Sequence, residues 1–185
     1  YIDTTLAVTN STFNANTAKW GGAIHNCSNC YCALTLTDST FTGNSASSYG
    51  GAICNYGVLM ISNSTFTRNS TTSSGGAIYK SGTFTLMDST FTGNSAATYG
   101  GAIYASSDAT LTLTDSTFTK NFASSYGGAI NNQGALTLTD STFTGNSTKS
   151  DGGAIENSGA LTVMNSSVTG NSSDGIGGAI DNYQG

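Results

Sequence analysis

The chain has 185 residues with 5 basic and 10 acidic side chains, a formal net charge of −5, only 8% charged residues and no proline. That balance supplies no cationic field for a phosphate backbone or an anionic bilayer, so nucleic acid is excluded as a natural partner. No apolar run approaches the roughly 20 residues of a membrane span, which excludes direct membrane insertion.

Ser, Thr, Asn and Gly together supply 99 residues. Such a composition points to disorder, but 10% aromatics and evenly spaced Leu, Ile and Phe provide apolar surface that a disordered chain lacks. Folded structure is therefore expected. Tyr1 is followed by no charged and apolar leader, so the chain reads as a mature or excised piece.

In chain order, residues 1–5 stand outside any repeat and are assigned as an N-terminal extension, suited to serve as an inter-subunit strand. Residues 6–185 repeat. An alternating strand appears at Leu6/Val8, Leu34/Leu36, Leu59/Ile61, Phe84/Leu86, Leu111/Leu113, Leu136/Leu138 and Leu161/Val163. An F-x-x-N element follows from Phe13, Phe41, Phe66, Phe91, Phe118 and Phe143, with Val168 in the seventh place. GGAI then closes each unit, beginning at Gly21, Gly50, Gly75, Gly100, Gly127, Gly152 and Gly177 with spacings of 29, 25, 25, 27, 25 and 25.

The period of two in L-T-L-T is that of a half-buried strand, and no stretch shows the helical period. Each unit reads as strand, Asp-Ser corner, short TFT strand, G-N-S loop and glycine-led strand. One such unit cannot offset the roughly 25 to 50 kcal/mol needed to order 25 residues of backbone. Stacking must supply the difference, and the fold class predicted is an all-β, right-handed parallel β-helix of seven coils with three short strands per coil.

Stacking in register puts like residues in columns. Asn16, Asn44, Asn69, Asn94, Asn121, Asn146 and Asn171 form an expected structural amide ladder. Asn10, Asp38, Asn63, Asp88, Asp115, Asp140 and Asn165 form a second column suited to Asx turns, with a calcium column as the sharper alternative. Seven N-x-[ST] sequons occur, about what this composition generates, and those in stacked Asn columns leave no room for a sugar.

The alternation of F-x-x-N with GGAI, as in Phe91 to Asn94 followed by Gly100 to Ile103, resembles the repeat of the chlamydial polymorphic outer-membrane proteins and their bacterial relatives. The resemblance spans the whole chain. It implies a right-handed β-helix passenger at a cell surface, acting as an adhesin or surface structure and exported as an autotransporter. The expected location is accordingly extracellular or cell-surface.

Cys27, Cys30 and Cys32 lie in an insertion after the first GGAI, and Cys54 follows the second. Two disulfides stapling that insertion to the next coil are expected, with three connectivities open, and a zinc site that includes His25 is the alternative. No cofactor is expected.

Glu156 and Asp181 occupy equivalent places in adjacent coils, about 5 Å apart, a separation that suits a retaining glycosidase. Stacked side chains point the same way, however, and a cleft between them is not expected. Asp3, Asp108, Asp151 and Asp174 are the other acids out of register, and Arg68 is the only arginine. The chain is read as having no reaction of its own.

Outward residues of the short strand give a T-x-T column: Thr40, Thr42, Thr65, Thr67, Thr90, Thr92, Thr117, Thr119, Thr142 and Thr144. Regular Thr pairs on a flat solenoid face are similar to the ice-binding surface of insect antifreeze solenoids, which makes ice binding an alternative function. Aromatic columns flank GGAI, with Trp20, Tyr49, Tyr99 and Tyr126 before it and Tyr79 and Tyr104 after it. They are equally readable as sugar-stacking platforms and as rim packing.

The leading expectation is an extracellular structural or adhesive solenoid, either a stalk segment or a fibre subunit that self-associates head to tail through its end coils. A carbohydrate-binding or carbohydrate-active passenger, with a glycan or host-surface ligand, is the further alternative. A fragment of a longer passenger has the same sequence.

Overall fold

The computed structural model describes residues 4–26 and 32–183. These residues build four parallel sheets of seven strands each, wound so that every strand pairs with its equivalent one coil away. The first sheet runs through Thr5–Thr9, Ala33–Thr37, Val58–Ser62, Thr83–Met87, Thr110–Thr114, Ala135–Thr139 and Ala160–Met164. The TFT strands form the second sheet, and the strands that open with the Ile of GGAI form the fourth.

The third sheet adds a fourth short strand to the three expected in each coil. The segment after G-N, read as a loop, pairs as a short strand in every coil, from Thr17–Trp20 and Ser45–Tyr49 to Ser172–Ser173. Most of these strands hold only two residues, too few for any period of two to appear in the sequence. The first strand also starts at Thr5, one residue before the repeat was placed, and residues 1–3 lie outside the described residues.

Register is like-on-like, with one shift between Ala18 and Trp20 in the third sheet. Leu34 pairs with Leu59, Phe66 with Phe41 and Phe91, and Ile78 with Ile53 and Ile103. The phenylalanines from Phe13 to Phe143 stack face to face, with centroids 4.6 to 4.9 Å apart. That spacing is the strand-to-strand distance of a sheet, so the backbone ladder sets the ring separation.

Each corner has its own chemistry. The Asx column is left-handed throughout, with φ of 47° to 51° from Asn10 to Asn165. Asn and Asp are the side chains that tolerate this region best after glycine, which is why the column exists and why a calcium role is unnecessary to explain it. A serine ladder follows: Ser64 Oγ donates to Ser62 O at 2.8 Å and accepts the Ser39 N–H at 3.1 Å. Sequence reading placed a corner there and missed the ladder.

At the Asn ladder, Asn94 Oδ1 accepts both the N–H and the Nδ2 of Asn69, while its own Nδ2 donates to Phe66 O at 3.0 Å. From Asn44 to Asn146 these side chains are fully buried, so the sequons at Asn69 and Asn146 are closed to glycan. The second glycine of GGAI has no room for a side chain. A Cβ on Gly101 would lie 2.1 Å from Gly128 O.

An inward column unforeseen in the sequence lies two residues after the Ile of GGAI. It holds Asn55, Lys80, Ala105, Asn132 and Asn157, all buried. Asn132 Nδ2 donates to Asn157 Oδ1 at 2.7 Å.

Candidate functional site

The columns before and after GGAI form one feature. The glycine corner turns the chain back on itself, so residues five apart in sequence, such as Trp20 and His25, or Tyr99 and Tyr104, face the same groove. Ring contacts then run along the rod. His25 meets Tyr56 at 6.1 Å, Tyr56 meets Tyr79 at 5.7 Å, and Tyr79 also meets Tyr49 at 4.7 Å and Tyr104 at 5.1 Å. Tyr104 meets Tyr99 at 6.3 Å, and Tyr99 meets Tyr126 at 5.6 Å. The result is a continuous aromatic track up one edge.

Trp20 and Tyr126 are exposed, and the tyrosines between them are half-buried. The hydroxyl of Tyr104 donates to Gln133 Oε1 at 3.0 Å. Burial raises Tyr104, and pushes Tyr79 up to about 12, so these phenols stay neutral donors across the physiological range.

The track ends in a cleft of about 470 Å³ lined by Tyr99, Tyr126, Asn131, Gln133, Asp151, Glu156, Ile176, Asp181 and Tyr183. Glu156 and Asp181 are register partners, as expected. The cleft that they line was not foreseen from the sequence. The opening lies between the two columns that flank the glycine corner, and not between members of one column. Glu156, 9% exposed, is pushed up to about 7 by burial first and then by Asp181 and Asp151. Asn131 Nδ2 donates to Glu156 Oε2. Asp151 Oδ1 accepts the Ile176 N–H at 2.7 Å, which fixes that carboxylate at the rim.

The T-x-T residues do form one in-register column: Thr40, Thr65, Thr90, Thr117 and Thr142 pair in turn, as do Thr42, Thr67, Thr92, Thr119 and Thr144. Thr65 and Thr144 are exposed and the others half-buried. Asp108 stands apart, its carboxyl held low by the hydroxyls of Ser106 and Ser81.

The disulfide expectation is corrected at Cys54, which is a free and fully buried thiol, pushed up to about 11 by burial. It points into the packed edge beside Tyr56 and Lys80, where a bridge to the insertion is not made. Cys27 and Cys30 lie outside the described residues, and Cys32 is buried with the Thr4 hydroxyl donating to its Sγ at 3.0 Å. Among the described residues no group of three or more His, Cys, Asp or Glu is placed to hold a metal.

Two family descriptions match the chain. "Right handed beta helix region" covers residues 74–184. The chain belongs to the right-handed β-helix family. "Chlamydia polymorphic membrane protein repeat" covers residues 10–27, 38–56 and 63–81, the coils that precede the first match or overlap its start. Together they support a surface β-solenoid whose first three coils match polymorphic membrane protein repeats. No curated protein and no solved structure matches it.

Proposed function

We propose that this β-helix is an adhesive surface segment that binds a saccharide chain along its tyrosine track. The observation that carries the reading is the unbroken run of ring contacts from His25 to Tyr126, opening into a polar cleft. The rings follow one another at 4.7 to 6.3 Å and offer a run of apolar surface, and the tyrosine hydroxyls offer hydrogen bonds at its edge, a combination suited to pyranose rings. The polymorphic membrane protein repeats support a surface setting in which such a ligand would be met. A rigid stack of coils would keep the platforms at fixed intervals, which limits the ordering cost of binding.

Immobilised-saccharide retention and titration calorimetry test it. Tyr99→Ala and Tyr126→Ala should each weaken binding by roughly tenfold, in line with about 1.4 kcal/mol for a lost stacking platform. Thr117→Val with Thr119→Val, on the T-x-T face, should leave it unchanged. Retention that survives both tyrosine variants would overturn the reading.

A further inference from the structure

Aromatic rings, carboxylates and an unused acceptor converge in the cleft at the end of the track. Glu156 forms its floor, Asp181 stands beside it in the next coil, and Asp151 closes the side. The protein offers these carboxylates only neutral donors: the amide of Asn131 to Glu156, and the Ile176 N–H and Ser150 hydroxyl to Asp151. None of the lining residues is Lys, Arg or His. Asn131, 3% exposed, turns its Nδ2 to Glu156 and leaves Oδ1 buried with no partner. A buried acceptor of that kind is destabilising until a donor reaches it.

We infer that this cleft takes the protonated amino group of an amino sugar, with the sugar ring carried on Tyr99 and Tyr126. The inference rests on the saccharide reading above and names the saccharide class. An ammonium group has three donors and no acceptor, which matches Asn131 Oδ1 together with carboxylates that have no cation of their own. A sugar hydroxyl can also donate to these oxygens, but it carries no charge to balance the carboxylates. The rings of Tyr99 and Tyr126 favour a cation over their faces. A bare alkylammonium would fill little of about 470 Å³, whereas a pyranose bearing the amine continues the track from Tyr104.

The groups facing Glu156 are Asp151 and Asp181, with Tyr99, Tyr104, Tyr126 and Tyr183 around them. Burial first, and then the neighbouring carboxylates Asp181 and Asp151, raise its proton affinity. An arriving ammonium supplies the opposite charge, so binding expels the Glu156 proton.

Titration calorimetry at about pH 6, in two buffers of different ionisation enthalpy, tests this with fully deacetylated and fully N-acetylated β-1,4-glucosamine oligomers and with spermine as a sugar-free amine. The deacetylated oligomer should bind at least about tenfold tighter than the acetylated one, with proton release, as a charge-assisted contact requires. Glu156→Gln should remove most of that preference and the proton release, while Asp115→Asn, on a distant corner, should change neither. Equal binding of the two oligomers overturns the proposal and leaves the saccharide reading standing. Binding of spermine with neither oligomer overturns both.

Discussion

Asn94 donates both its backbone N–H and its side-chain Nδ2 to Oδ1 of Asn121, at 3.0 and 2.9 Å, and Nδ2 donates again to Phe66 O. One residue therefore completes the turn below it and the rung above it. Asn94→Ala would orphan the buried N–H of Asn69, remove the side-chain donor to Phe66 O and leave Asn69 Nδ2 with Phe41 O as its one acceptor. At about 1–3 kcal/mol for each unsatisfied group, a loss of at least about 2 kcal/mol is expected in urea denaturation. Asn94→Asp should be worse, since a carboxylate cannot donate to Phe66 O and faces the Asn121 oxygen. A loss below about 1 kcal/mol for either variant would show that the ladder is not a stability element.

The two glycine classes should respond to alanine to very different degrees. Gly101→Ala would drive a Cβ against Gly128 O and the Phe122 backbone, at 2.1 and 2.6 Å, and no side-chain motion relieves a backbone clash. That variant should fail to fold or form a broken stack. Gly93 has φ 63° with only the Arg68 Cγ near, at 3.8 Å, so Gly93→Ala should cost about 1–2 kcal/mol, the left-handed penalty alone. The converse holds at Lys120, whose φ is 54° in the same column. Lys120→Gly should raise the denaturation midpoint by an amount worth about 1 kcal/mol, once the added chain entropy of glycine is subtracted.

The contrast between the fold and the cleft explains what sequence could reveal. Phe66, Phe91 and Phe118 announce their stacking because each coil repeats the same residue at the same register. Repetition makes one-dimensional spacing equivalent to a three-dimensional contact. Tyr56 belongs to no column flanking GGAI, and its contacts with His25 and Tyr79 depend on how the chain leaves the glycine corner. Asp151 and Glu156 are five residues apart, and nothing in that interval states that a left-handed Gly152 folds them onto one groove. The third sheet was hidden for a simpler reason: two-residue strands such as Ser95–Ala96 carry no pattern.

Glu156 makes stability fall as pH rises. Its folded value is raised from 4.5 to about 7, so between those values the folded state binds the extra proton. Linkage then gives a stability contribution that is fully present below about 4.5 and is lost as pH rises through about 7. Solvent reaches the cleft, so the effect is discounted to about 1 kcal/mol. Glu156→Gln should match the native chain in denaturation at about pH 4, and exceed it by roughly that amount at about pH 8. Parallel pH curves for the two proteins would contradict the burial of this carboxyl.

Lys80 should act in the opposite direction. It is fully buried in the inward column, with Nζ donating to Gly57 O at 2.5 Å and to Ser81 O. Burial pushes it down from 10.5 to about 7, against the pull of Asp108 and Cys54. Between those values the unfolded chain binds the extra proton, so the penalty for enclosing the ammonium is complete below about 7 and is relieved as pH climbs toward 10.5. Lys80→Met keeps the length of the side chain and removes the charge. The difference in unfolding free energy between native and Lys80→Met proteins should shift by about 2 kcal/mol in favour of the native chain from about pH 6 to about pH 9. Using the difference cancels the opposing titrations of Cys54 and Tyr79, both raised by burial. A flat difference over that range would place the ammonium in contact with water, and the inward column at Asn55 and Ala105 would then have to open toward solvent.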